Sequence, residues 1–137
     1  MILSQTAEYA IRAMAQMATL PRGQAVRATD LSKMTHIPEH YLSKVMRKLV
    51  ARGLLESEKG HGGGFKLVRP RKSIRFIDIL SAVELDLEPN RCAFGWGECS
   101  GKNPCMLHPA FTQLKDAYAK WATKTTLADL AEPPKQP

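Results

Sequence analysis

The chain has 137 residues, 44% of them hydrophobic, which is enough for one core and too few for two full domains. No apolar run approaches the ~20 residues that span a bilayer, and the start Met-Ile-Leu-Ser-Gln-Thr-Ala-Glu lacks the regions of a signal peptide, so a soluble, cytoplasmic chain with no membrane partner is expected. The net charge of +7 is uneven: residues 1–75 carry 14 Lys and Arg against 5 Asp and Glu, and residues 76–137 carry 6 against 8, so the first half has either the footprint of a polyanion-binding module or a merely solvated basic face.

In chain order, Ala7, Ala10, Ile11, Met14, Met17 and Ala18 recur at three- and four-residue steps, predicting an amphipathic helix over 4–19 with Ser4 as its cap and Pro21 beyond its end. The methionines read as core filler. Thr29–Met34 reads as a short helix, Thr35-His36-Ile37 as a turn, and Pro38 as the first position of a helix running to about Arg52. On that helix Tyr41, Leu42, Val45, Leu49 and Val50 form the expected buried stripe, with His40, Ser43, Lys44, Arg47 and Lys48 on other faces. Two helices joined by a tight turn, the second one basic, predict a helix-turn-helix.

Gly53 ends the second helix. The runs Leu54–Glu58 and Phe65–Val68, joined by Lys59-Gly-His-Gly-Gly-Gly64, read as a β-hairpin with a Gly-rich tip that lets the backbone approach a partner. The tip leads into a strand and not a helix, and matches neither nucleotide-binding pattern. A further helix is expected over Phe76–Val83. From Pro109 to about Thr123, Phe111, Leu114, Tyr118 and Trp121 form a seam at spacings of three, four and three, suited to docking on its own domain or to a dimer interface.

Between these last helices lie all three cysteines, Cys92, Cys99 and Cys105, in a Gly-rich loop. An odd count in a reducing compartment argues against a disulfide framework. Thiolates this close can converge on an iron–sulfur centre; Cys105-Met-Leu-His108 also has a spacing that suits a Cys-Cys-Cys-His zinc site; a thiol redox switch and an inert loop remain alternatives. His36 and His61 read as turn and wing residues. His108 reads either as a ligand or as the residue capping a helix that has Pro109 at its first position.

In this order, the start Met-Ile-Leu-Ser-Gln-Thr-Ala-Glu-Tyr-Ala-Ile-Arg-Ala, a helix-turn-helix at 28–52, Gly-Leu-Leu followed by the Lys-Gly-His-Gly-Gly-Gly-Phe wing, and three clustered cysteines before a long helix resemble the Rrf2 family of winged-helix repressors, with its IscR- and NsrR-type regulators. The resemblance spans residues 1–130. It implies a mainly α fold with a small β-wing: a winged helix-turn-helix domain over 1–84, a cysteine-containing sensor loop over 85–108, a dimerisation helix and following segment over 109–130, and a disordered tail over 131–137. It further implies a homodimer on a pseudo-palindromic operator in double-stranded DNA, with an iron–sulfur cluster (2Fe-2S or 4Fe-4S) on Cys92, Cys99 and Cys105 that tunes DNA affinity in response to redox state, nitric oxide or cluster supply.

Within that frame Glu39, His40, Ser43 and Lys44 lie in or beside the major groove, while Arg47 and Lys48 reach phosphates. Thr29 and the wing-tip residues Lys59, His61 and Gly62 complete the DNA-binding set. Lys59 stands where many relatives place arginine, which favours phosphate contact over bidentate base reading. The dimer seam is Phe111, Leu114, Tyr118 and Trp121. The resemblance implies a fourth cluster ligand, either His108 or a carboxylate from the first helix of the partner, here Glu8 of the partner subunit; the partner's Glu8 is favoured, since the long first loop and Pro109 loosen the case for His108. No nucleophile, paired carboxylate or cofactor loop supports an enzyme, so a transcriptional repressor is expected, with a zinc-bound or thiol-switched regulator as the alternative and a small iron–sulfur redox protein as the weaker one.

Overall fold

The computed structural model describes residues 3–84 and 91–130, so the expected disorder of 131–137 lies outside the described residues. The first helix, α1, runs Gln5–Met17, and Ser4 caps it by accepting the Ala7 N–H at 3.1 Å. The expected stripe is buried apart from Ile11, which is half-buried; Ala13 and Ala15 are buried as well. The cause is that α1 is central, and its alanines let three other helices approach closely, so burial extends around most of its circumference.

Next come α2 (Ala28–Thr35) and α3 (Glu39–Ala51). The turn between them places His36 in the left-handed region at φ 57°. Thr35, the one buried polar residue among those described, donates its hydroxyl to Leu31 O at 2.7 Å. Pro38 proves to be the N-cap of α3 and not its first helical residue, because its ψ of 133° is extended and helical dihedrals begin at Glu39. A second correction concerns the stripe. Leu42, Val45, Met46 and Leu49 are the buried set, whereas Tyr41 is exposed and Val50 half-buried. Leu42, Val45, Met46 and Leu49 lie within about 100° of arc on a 3.6-residue helix, and Tyr41 and Val50 fall outside it.

Gly53, at φ 74°, closes α3, and Leu54 N–H bonds back to Leu49 O at 3.1 Å. This six-to-one bond keeps Leu54 in the helix terminus, so the first wing strand, β1, begins one residue later than the pattern suggests, at Leu55–Glu58, while the second, β2, is shifted one residue earlier, to Gly64–Leu67. They pair antiparallel with Leu55 opposite Leu67 and Glu58 opposite Gly64. Val26 adds a third rung through two 2.8 Å bonds with Phe65. Gly64 is required there: its φ is 131°, and a Cβ would lie 2.3 Å from Val26 O.

The fourth helix, α4, occupies Phe76–Val83 as expected. The fifth, α5, spans His108–Lys124, one residue longer at each end than the pattern predicts. Leu107 precedes it without a side-chain cap, so His108 is its first residue and not its cap. Beyond α5 the chain returns to α4: Phe76 N–H bonds Thr125 O at 2.9 Å, Leu127 N–H bonds Ile74 O at 3.1 Å, and Leu127 is buried in the main core. That core gathers α1 to α4 around Met14, Leu31, Leu42, Met46, Leu49 and Ile79, each large enough for burial to contribute about 1.5–3 kcal/mol. A smaller cluster of Ala7, Leu80 and Ala122, flanked by Tyr118, docks α5. No helix among the described residues is long and apolar enough to cross a membrane.

Candidate nucleic-acid interface and cysteine loop

Opposite the buried arc of α3, His40, Lys44 and Arg47 form an exposed row at four- and three-residue steps. Ser43 and Lys48 are half-buried beside it, and Glu39 is exposed at the helix start. None of Lys44, Arg47 or Lys48 has an ion-pair partner among the described residues, so their charge is available to a polyanion. Thr29 is exposed in the first turn of α2. Lys59, His61 and Gly62 are exposed at the wing tip, where Gly60 and Gly62 take φ of 88° and 73°. Lys66 below the tip is instead engaged by Glu58 and Glu56, and the Glu58 carboxylate holds its ammonium above the usual range.

Two residues of this surface escape a reading of the sequence. Arg27, just before α2, donates to Gly60 O at 3.3 Å and so ties the helix-turn-helix to the wing tip. Only its position next to a helix start in the basic half hinted at such a role. Tyr41, expected in the buried stripe, is the other: its ring meets that of His40 at a tilt of 38° with centroids 4.1 Å apart, and it lies 6.3 Å from Tyr9 of α1.

The cysteine loop is built differently. Arg91 and Glu98 bridge, Cys92 N–H bonds Gly97 O at 2.8 Å, and Gly95 N–H bonds Cys92 O at 2.9 Å, making a small hairpin whose glycines at 95 and 97 carry φ of 76° and 90°. Its tip shows solvent a stacked Phe94–Trp96 pair at 4.7 Å. His108 N–H bonds Cys105 O at 3.1 Å and links the loop to α5.

All three cysteines are free thiols. Cys92 is buried, and its Sγ lies 3.8 Å from Cys105 Sγ; Cys99 Sγ lies 3.2 Å from His108 Nδ1. The Phe94 N–H, followed by the Trp96 N–H, the Cys105 thiol and the Gly95 N–H, holds the Cys92 thiol below its ordinary range, against the opposing effect of burial. Two sulfurs bonded at 2.3 Å to one tetrahedral metal would stand about 3.8 Å apart, which is the Cys92–Cys105 spacing. The donor chemistry therefore fits a soft-metal or iron–sulfur centre. The donors stand as two pairs: among the described residues no three Cys, His, Asp or Glu side chains converge as a metal would require. Glu8 is half-buried on α1.

On α5, Ala122 is the fully buried anchor, and Trp121 packs edge-on against Phe76 at 5.3 Å. Burial, then the Glu84 carboxylate, pushes the Tyr118 phenol above its ordinary range. Leu114 remains 51% exposed, Trp121 is partly exposed and Phe111 is half-buried.

Known proteins share this chain's sequence pattern and fold. The model of the Rrf2 family, described as iron-dependent transcriptional regulators, matches residues 3–133. A candidate HTH-type transcriptional regulator of Aquifex aeolicus (strain VF5) is 34% identical over 95% of this chain and 91% of its own. The HTH-type transcriptional regulator IscR of Escherichia coli (strain K12 / DH10B) is 31% identical over 95% of this chain and 80% of its own. Among solved structures, CymR, the global cysteine regulator of B. subtilis, superposes with a TM-score of 0.78 at 23% identity over 94% of this chain and 95% of that one. T. potens IscR does so with a TM-score of 0.74 at 21% identity over 93% and 83%. At these identities the superpositions establish the winged-helix fold alone.

Proposed function

The chain belongs to the Rrf2 family of transcriptional regulators, and from that premise we propose that it is a dimeric, DNA-binding repressor whose operator affinity is set by an iron–sulfur cluster in the loop before α5. The observation that carries this reading is the pairing of an uncompensated basic row on α3 with three free thiols held in one short loop. When bound, such a cluster supplies a redox- and nitric-oxide-reactive centre.

This chain's own residues divide the work. His40, Ser43, Lys44 and Glu39 face base edges, with Thr29, Arg47, Lys48 and the wing residues Lys59, His61 and Gly62 positioned on phosphates. Cys92, Cys99 and Cys105 hold the cluster. His108 is the fourth ligand, a reading supported by the 3.2 Å contact of its imidazole with Cys99 within one chain; Glu8 of the partner subunit, favoured on sequence grounds, is the competing one. The exposed Leu114 and Trp121 face of α5, with Phe111 and Tyr118, joins two copies, so that two half-sites are engaged together. In modular terms the readout occupies 1–84, the sensor 85–108, and the dimerisation helix with its following segment 109–130.

The test is anaerobic purification followed by an absorbance spectrum and gel shifts with genomic operator fragments. The expected result is a coloured protein whose DNA affinity changes when the cluster is removed. His108→Ala should lose or alter the spectrum while Glu8→Ala leaves it intact; the reverse would move the fourth ligand to the partner. A colourless protein that binds zinc, or one that takes no metal yet responds to oxidants, would support the alternative regulators. Leu114→Lys together with Trp121→Lys should sediment as a monomer.

A further inference from the structure

The three thiols are not equivalent. Cys92 Sγ and Cys105 Sγ are in contact at 3.8 Å, whereas Cys99 Sγ is turned to His108. A disulfide holds its sulfurs at about 2.05 Å, so the first pair, already in contact, has roughly 1.8 Å to close before it bonds. Sequence spacing alone points elsewhere. Six residues separate Cys92 from Cys99, five separate Cys99 from Cys105, and twelve separate Cys92 from Cys105. Shorter loops close more readily in an unfolded chain, which favours either pair containing Cys99. The fold selects the widest pair because the Arg91–Glu98 hairpin turns Cys92 back on the loop and the Cys105–His108 turn fixes the other end.

We propose that Cys92 and Cys105 are a modification site: in the metal-free chain a peroxide joins them in a disulfide, leaving Cys99 as a thiol beside His108. One thiolate attacks a peroxide oxygen, the O–O bond breaks, and hydroxide leaves to give a sulfenic acid. The second sulfur then attacks the oxidised one, the S–O bond breaks, and water leaves as the S–S bond forms. Two thiols lose two electrons in total, and hydrogen peroxide becomes two waters. Either sulfur can take the first step, since both orders end in the same bond. The regulatory consequence rests on the cluster reading above: with two of its three thiolates bonded to each other, the loop cannot be reloaded until a reductant reopens it.

The bond itself is tested without metal. Full-length protein, reduced and cleared of metal with a chelator, is treated with hydrogen peroxide, alkylated, and digested with trypsin and a glutamyl endopeptidase. Cleavage after Arg91, Glu98 and Lys102 places each cysteine on its own peptide. The expected product is the Cys92 peptide linked to the Cys105 peptide, with Cys99 alkylated, in a chain that runs as a single subunit on a non-reducing gel. The same oxidation in urea should shift the links to pairs containing Cys99. Three alkylated thiols, a native link that includes Cys99, a link between chains, or the same pattern with and without urea each overturns the proposal. Because the readout is made on metal-free protein, failure to find a cluster leaves it standing, and its own failure leaves the cluster reading standing.

Discussion

The helix-turn-helix with its wing and the cysteine loop are held by different forces. The first is built on a continuous core to which α1, α2, α3 and α4 all contribute, and its charged residues are displayed by buried neighbours on the same helix. Between 91 and 107 Cys92 is the one buried side chain, and the loop keeps its shape through a few backbone bonds, an aromatic pair and two thiol contacts. A region whose contacts are cooperative must keep one geometry, which suits readout of a rigid duplex. One whose contacts are few and local can rearrange at small cost, which suits a sensor.

The largest effect expected from this contrast comes from the core. Leu42→Ala should destabilise the protein by about 2–5 kcal/mol, because a fully buried side chain is removed from a packed interior. Thermal or urea melts check this, and a loss below about 1 kcal/mol would place α3 outside the cooperative unit. Gly64→Ala should cost about 1–3 kcal/mol through strain at positive φ. It adds a clash with Val26 and should detach the wing, so DNA binding should fall even where the helices persist.

Arg47→Ala and Lys59→Ala should leave the melting temperature unchanged, since both side chains are exposed, while each lowers the slope of log affinity against log salt by about 0.9. An unchanged slope would remove that residue from the phosphate contacts. Smallest of all, Trp96→Ala should shift global stability by no more than about 0.5 kcal/mol, since Trp96 is 72% exposed and touches mainly Phe94. A large shift would mean that the loop is part of the core after all.

Much of this architecture is legible in the residues. The α4 boundaries follow from the apolar spacing of Phe76–Val83, and the wing from its glycine run between two short apolar strands. The misreadings share a cause. Tyr41 falls near the apolar stripe by composition, yet one residue's offset turns it 100° away, and the positions of α1, α2 and α4 decide which arc of α3 is covered. Ala122 was invisible for the complementary reason: a small residue becomes an anchor only where Ala7 and Leu80 approach closely enough to need one. Arg27 has no pattern of its own, and its bond to Gly60 crosses 33 positions of chain.

The residues by themselves determined the element order, the basic character of the reading helix and the presence of three thiols in one loop, because helix periodicity, turn chemistry and charge are local properties. Tertiary structure alone decided that Leu127 returns to the core beside Ile74, that the wing is braced by Val26 and Arg27, and that Cys92 faces Cys105 while Cys99 faces His108. These are contacts between segments distant in sequence or around turns of several residues, and their selection depends on how the whole chain excludes volume and satisfies its backbone bonds.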